Sequence, residues 1–159
     1  MENNKNREQG KYSTGKSLFV DLTLHFTVTL SLACFFYFFT GRISWVILCI
    51  TGGILIDIDH FIDHFLHYGR HFRLVDFLFH SYLDSGKIYV VFHSWEILIL
   101  LWIISFRVSW FIPLAAGMTG HLMIDQLFSR KPKLFYFLAF RWYHGFSRDK
   151  TGVSAPEDR

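Results

Sequence analysis

The sequence has few cysteines and too little charge for the surface of a soluble protein. Its two cysteines, Cys34 and Cys49, lie inside apolar runs without a CxxC pattern, which excludes a disulfide framework. Charged residues make up 18% of the 159 residues and hydrophobic residues 52%, a balance too apolar for an ordinary soluble domain. The net charge of +3 comes from the two ends of the chain, so it concerns membrane topology, and we expect no nucleic acid partner.

Long apolar runs predict the fold. Four of them, at 18–39, 43–58, 88–106 and 108–128, have the composition of membrane-spanning helices, and two tight turns and one long loop join them. We therefore predict an all-α fold, a membrane four-helix bundle over residues 17–130. A disordered basic N-terminal tail at 1–16 precedes it, and an interfacial segment and C-terminal tail at 131–159 follow it.

The distribution of lysine and arginine predicts the orientation of the bundle. These residues are concentrated in both tails and in the loop at 70–87, and they are scarce in the two short turns. By the positive-inside rule, both termini and this loop should be cytoplasmic. We expect a multi-pass protein of the inner (cell) membrane with the lipid bilayer as its partner. Lys16, Lys87, Arg70 and Arg73 could attract an anionic headgroup.

Residues 10–17, GKYSTGKS, match the P-loop pattern without its structural context. The motif binds phosphates where a buried strand leads into a helix N-terminus. Here a polar tail precedes the motif and a predicted membrane span follows it. We interpret this stretch as a basic juxtamembrane tail on an anionic leaflet.

The second apolar run ends in a cluster of ionisable residues, GILIDIDHFIDHFLHYG at 53–69. On a helical wheel its acids and imidazoles fall within an arc of about 160°, and apolar side chains fill the other half. This polar face lacks the Lys, Glu, Gln and Ser of a typical solvated face, and carboxylates with imidazoles are ligands for divalent metals. A metal-binding face and a solvated face are equally compatible with this stretch alone, and Asp63, His64 and His67 either extend the site or are solvated.

Each of the other predicted helices also carries an acid and a histidine three or four residues apart, on one helix face. The pairs are Asp21 with His25, His93 with Glu96, and His121 with Asp125. An ionisable residue inside a membrane costs about 2.5 to 3.5 kcal/mol on insertion scales, so four such helices indicate function. In an antiparallel bundle all the pairs would lie within about 10 Å of the cytoplasmic membrane face.

The pattern predicts a divalent metal site, with zinc favoured, near the cytoplasmic end of the bundle. The favoured function is hydrolysis of a phosphoester, including that of a phosphorylated lipid, by a membrane-embedded enzyme. Glu96 is the candidate catalytic base, with ligand and ligand-orienting roles as alternatives. Asp59 is the weaker ligand candidate because it lies about 160° from Asp57 on the wheel. The predicted ligands are His25, Asp57, Asp59, His60, His93, His121 and Asp125.

The order of these motifs resembles that of the bacterial inner-membrane metal-dependent hydrolase family. The matching elements are DIDH at 57–60, His-Ser at 93–94 and GHLMID at 120–125, after the helical His25. The family is distantly similar to zinc-dependent phospholipase C and P1 nuclease, so the resemblance implies a helical fold, several zinc ions and hydrolysis. It covers about 20–130. The chain departs from the family where Ile56 replaces the usual proline and where His-Arg-Gly is missing ahead of His93.

Two other functions remain open. A di-iron redox site uses glutamates and Glu-x-x-His pairs, whereas the core region here has one glutamate and more histidines, which favours zinc and hydrolysis. A non-enzymatic membrane protein could use its His and Asp residues for packing or for ion passage. That alternative predicts no tightly bound, stoichiometric metal.

Overall fold

The computed structural model describes residues 2–69, 86–129 and 131–153. All its long elements are helices. Within these ranges the β-type pairing consists of a single antiparallel bridge between Lys87 and Ser147. The prediction of an all-α fold is therefore confirmed. The elements are α1 (Glu2–Thr40), α2 (Ile43–Leu55), α3 (Ile58–Tyr68), α4 (Trp95–Ser105), α5 (Phe111–Phe128), a 3-10 helix (Lys133–Tyr136) and α6 (Leu138–Tyr143).

Two helical stretches of the described chain are long and apolar enough to cross a membrane. They are Phe19–Thr40, within α1, and Ile43–Tyr68, in which α2 leads into α3 through a turn at Ile56 and Asp57. They correspond to the first two predicted spans. The four-span bundle as a whole stays a prediction.

The structure differs from the prediction at 88–106. Only the 11 residues of α4 are helical there, about 16 Å at 1.5 Å per residue, against a hydrocarbon core of about 30 Å. The chain before α4 is bent because carboxylates of α3 bind its backbone. Asp63 Oδ2 accepts hydrogen bonds from the N–H groups of Tyr89 (2.7 Å) and Val90 (3.2 Å), and Asp59 Oδ2 accepts one from that of His93 (2.9 Å).

The N-terminal tail also differs from the prediction, because the backbone belongs to α1 from Glu2 onward. Lys, Arg, Glu and Gln have good helix propensity, and a helix that already exists propagates at low cost. The P-loop match at 10–17 therefore lies within a continuous helix. The part of the predicted loop at 70–85 and the end of the predicted C-terminal tail at 154–159 lie outside the described residues.

Glycines set the distance between the helices that carry the predicted ligands. α2 packs most extensively against α5, and α1 lies against both. A Cβ atom on Gly52 would collide with the backbone of Leu114, and one on Gly117 would collide with the carbonyl oxygen of Cys49. Small residues allow such close backbone approach between membrane helices. This close packing brings the ionisable residues of α1, α2 and α5 near one another.

The helices turn their polar side chains inward and many of their apolar side chains outward. In α3, Asp59 and His64 are 4% and 0% exposed, whereas Phe65 and Leu66 are 54% and 66% exposed. Helix α1 likewise exposes many of its apolar side chains and buries the side chain of His25. A helix in a soluble protein has the opposite arrangement, so these faces suit a lipid environment.

Candidate metal centre

Three histidines and two aspartates from distant parts of the chain meet in one place. His25 comes from α1, Asp57 from the turn between α2 and α3, His93 from the bend before α4, and His121 and Asp125 from α5. They form two groups that share His121: His25, His121 and Asp125, and Asp57, His93 and His121. Within each group the potential ligand atoms all lie within 4.8 Å of one another. We refer to these five residues as the candidate centre.

The spacing of neighbouring ligand atoms fits a small cation between them. His25 Nε2 lies 3.2 Å from Asp125 Oδ1, and His121 Nε2 lies 3.4 Å from Asp57 Oδ1. His93 Nε2 lies 3.6 Å from both Asp57 Oδ1 and Asp125 Oδ2. Ligand atoms at 2.0 to 2.2 Å from a tetrahedral zinc ion are about 3.3 to 3.6 Å apart. The observed distances are close to that range.

Backbone carbonyl groups orient two of the histidine rings. Nδ1 of His25 lies 2.8 Å from the carbonyl oxygen of Asp21, and Nδ1 of His121 lies 2.8 Å from that of Gly53. A carbonyl oxygen only accepts hydrogen bonds, so Nδ1 of each ring carries the proton and donates it. In a neutral ring Nε2 is then an acceptor, and it faces a carboxylate oxygen that is also an acceptor. Such a contact is favourable only with a cation between the two atoms, either a proton or a metal ion.

A carboxylate orients the third ring. Asp59 Oδ2 lies 3.3 Å from Nδ1 of His93 and also binds the backbone N–H of that residue. Nε2 of His93 is buried and has no hydrogen-bond partner among the described residues. Buried polar atoms normally have a partner, and a metal ion between Asp57 and Asp125 would provide one. The residues present therefore fit a divalent metal.

Asp59 and His60 were predicted as ligands, and they belong to neither group. Asp59 contacts the ring nitrogen of His93 that faces away from the candidate centre, which is the position of a carboxylate that orients a metal ligand. His60 packs its ring against that of His93, with centroids 4.5 Å apart. The large angle between Asp57 and Asp59 on the helical wheel was the reason that Asp59 was the weaker ligand candidate.

Glu96 has its hydrogen-bond partners in the C-terminal segment. Its Oε2 accepts a hydrogen bond from the N–H of Leu138 (2.9 Å), and its Oε1 accepts one from that of Ala139 (3.0 Å). These N–H groups begin α6, and the first N–H groups of a helix have no partner within it. The role of Glu96 as the catalytic base stays a prediction, and this geometry does not favour it.

The remaining ionisable residues of α3 divide between the interior and the surface. Asp63 and His64 are buried, whereas His67 is exposed. Asp63 binds the backbone of the bend before α4, so its role is to hold that bend.

The carbonyl of Gly53, which orients His121, was not predicted. No side-chain pattern marks a carbonyl group, and the Gly52-Gly53 pair within an apolar helix was the available signal.

Arg141 of α6 places a positive charge beside the acids that support the candidate centre. The residue is fully buried. Burial lowers the pKa of Arg141 to about 10, although the nearby negative charges of Asp59, Glu96 and Asp63 oppose that effect. The guanidinium group therefore balances part of the charge of acids that bind backbone N–H groups.

Neither a protein-family model, nor a curated protein, nor a solved structure matches this chain. The family resemblance of the motifs therefore stays a prediction. The function must be argued from the geometry of the candidate centre and from the apolar surface around it.

Proposed function

We propose that the protein is a membrane-embedded, metal-dependent hydrolase of phosphoesters. The observation that carries the proposal is the set of histidine Nε2 atoms that face carboxylate oxygens at 3.2 to 3.6 Å while Nδ1 of each ring is already bound. Three imidazoles and two carboxylates are a ligand set that suits zinc, and two carboxylate charges balance one divalent cation.

The residues of the candidate centre have distinct tasks in this proposal. In one group, Nε2 of His25 and His121 and a carboxylate oxygen of Asp125 would bind the metal. In the other, Nε2 of His93 and His121 and a carboxylate oxygen of Asp57 would bind it. A bound divalent metal polarises a phosphoryl oxygen and lowers the pKa of a water molecule. The side chain of Asp57 is 47% exposed, whereas those of His93 and His121 are 1% and 3% exposed. Substrate and water would therefore enter from the side of Asp57.

His121 limits how the metal is bound. It belongs to both three-residue groups, but its Nδ1 is bound to the carbonyl of Gly53, so only Nε2 is left for a metal. One nitrogen binds one ion, so His121 serves one group at a time. We therefore expect one tightly bound metal ion per chain.

The apolar surfaces support a location in the inner membrane. Two helical stretches are long and apolar enough to cross it, and α3 exposes its apolar face. The distribution of Lys and Arg favours cytoplasmic termini. Reporter fusions at the N-terminus, after Tyr82 and at the C-terminus should all report the cytoplasm, and one at Arg42 should report the outside. An external signal after Tyr82 would contradict this orientation.

Metal analysis of the protein, purified in mild detergent without chelators, tests the centre. We expect about one zinc ion per chain, and a double variant, His121→Ala with Asp125→Ala, should lose it. His67→Ala is the matched control, because this exposed histidine of α3 lies outside both groups and its variant should keep the metal. Folded wild-type protein without metal would favour the non-enzymatic alternative, and iron would favour the redox alternative.

Activity is tested on the metal-loaded protein with phosphomonoesters and phosphodiesters, both soluble and in micelles. We expect hydrolysis that chelation abolishes and zinc restores. The absence of hydrolysis across a broad panel, from protein shown to contain the metal, would contradict the hydrolase proposal.

A further inference from the structure

Two cations lie against the buried ring of Phe135. Nζ of Lys131 is 5.0 Å from the centroid of this ring, and Cζ of Arg141 is 5.3 Å from it. Lys131 Nζ also lies 5.5 Å from the centroid of Tyr136. These distances are within the range of cation–π contacts, so the two rings help to define the position of the ammonium group.

Lys131 lies beside the candidate centre. It follows the end of α5, where its N–H donates to the hydroxyl of Ser129 (3.1 Å) and the N–H of Ser129 donates to the carbonyl of Asp125 (3.0 Å). The charge of Lys131 acts on Asp125, Asp21 and His60. The residue is half-buried, whereas Arg141 is fully enclosed. Lys131 is therefore the cation of this pair that a molecule from outside can reach.

A positive charge at this position does not help to bind a metal, because like charges repel. It does help to bind an anion to the metal-loaded centre. The carboxylates of Asp57 and Asp125 balance one divalent ion, so the negative charge of a phosphate ligand needs a further cation. An ammonium group has three donors for phosphate oxygens, and charge-assisted hydrogen bonds are stronger than neutral ones. Arg141 lies near Asp59, Asp63 and Glu96, and it is fully enclosed.

We propose that Lys131 binds the phosphate group of the substrate beside Asp125 of the candidate centre. This inference rests on the proposed hydrolase function for the identity of the ligand as a phosphoester. The phosphate of a lipid headgroup and that of a soluble monoester have the same chemistry, so either would bind in the same way. Lys131 thus gives the centre its preference for anionic substrates.

The test compares Lys131→Gln, Lys131→Arg and the control Lys133→Gln in zinc-loaded protein. Lys133 is an exposed cation two residues away, at the start of the 3-10 helix. Lys131→Gln should raise KM by about 10- to 100-fold, the effect of losing a charged hydrogen bond, with kcat changed much less. Lys131→Arg should recover most of the loss, and Lys133→Gln should behave as wild type. Zinc content should be unchanged in all three variants.

A second measurement does not depend on catalysis. Inorganic phosphate should raise the melting temperature of the zinc-loaded wild type, and Lys131→Gln should need about 10- to 100-fold more phosphate for the same shift. If this holds but no phosphoester is cleaved, the inference stands and the hydrolase proposal fails. If hydrolysis occurs and Lys131→Gln keeps the wild-type KM and phosphate response, the inference is wrong.

Parallel assays with a soluble phosphomonoester and with phosphatidic acid in micelles identify the source of the phosphate. A rise in KM for both substrates supports binding of the phosphate group itself. A rise for one of them alone supports the inference and names the physiological class of substrate. No rise for either contradicts it.

Discussion

Asp59 and Asp63 form a matched pair for testing whether Asp59 supports a metal ligand. Both are buried acids of α3, one turn apart, and each accepts two hydrogen bonds through Oδ2. The partners of Asp63 are two backbone N–H groups. Asp59 binds one backbone N–H and the ring of His93. The asparagine variants therefore remove the same charge, but only one of them disturbs a residue of the candidate centre.

The expected magnitudes follow from these contacts. A hydrogen bond to a charged group contributes about 1.5 to 3 kcal/mol and one to a neutral group about 0.5 to 1.5 kcal/mol, so Asp59→Asn and Asp63→Asn should each lower the free energy of unfolding by about 1 to 3 kcal/mol. Loss of a carboxylate that orients a metal-binding histidine lowers metal affinity by about 10- to 100-fold. Only Asp59→Asn should show this second effect.

Competition with a chromophoric chelator measures zinc affinity in detergent, and thermal unfolding of the metal-free protein measures stability. The expected result is similar stability for the two variants and weaker zinc binding for Asp59→Asn alone. Equal zinc affinity in the two variants would refute the role of Asp59, and weaker binding in Asp63→Asn alone would show that the bend before α4 controls the site.

Three further predictions follow from the described contacts. Gly117→Ala should be more destabilising than Gly120→Ala, by about 1 to 3 kcal/mol in thermal unfolding, because the new methyl group of the first meets a backbone carbonyl and that of the second meets flexible side chains; equal stabilities would contradict this. Glu96→Gln should keep its zinc and its activity and lose about 1 to 3 kcal/mol of stability, because it loses a charged acceptor for α6. A rate loss of about 10² or more with zinc retained would restore Glu96 as the catalytic base. Lys16→Ala should leave the thermal response to ATP and any activity unchanged, and saturable ATP binding that requires Lys16 would show that the P-loop match is functional.

Helical periodicity was sufficient to predict most residues of the candidate centre. His121 and Asp125 are four residues apart, so they share a face of α5, and His25 lies at the corresponding depth of α1. Placing an ionisable residue in a membrane interior is costly, and this cost distinguished these residues from other polar residues as functional candidates. These signals are local or depend only on depth, so a single sequence can carry them.

The bend before α4 could not be predicted in the same way. Residues 88–94 are mostly apolar and adjoin an apolar helix, so composition alone favours one continuous span. The bend exists because Asp59 and Asp63, about 30 residues earlier in the chain, accept hydrogen bonds from its backbone. Such long-range contacts override local propensity, and they also place His93 in the candidate centre.

The acids of α3, of α4 and of the candidate centre fall into two sets that differ in how their charge is balanced. Asp59, Asp63 and Glu96 accept hydrogen bonds from backbone N–H groups and lie near the guanidinium of Arg141. Among the described residues, Asp57 and Asp125 instead contact histidine Nε2 atoms. The first set is balanced by the protein itself. The second set faces histidine nitrogen atoms, which are acceptors when their rings are neutral. A cation that binds both the carboxylate and the nitrogen would therefore stabilise this set most. This difference favours a metal over a purely structural role for Asp57 and Asp125.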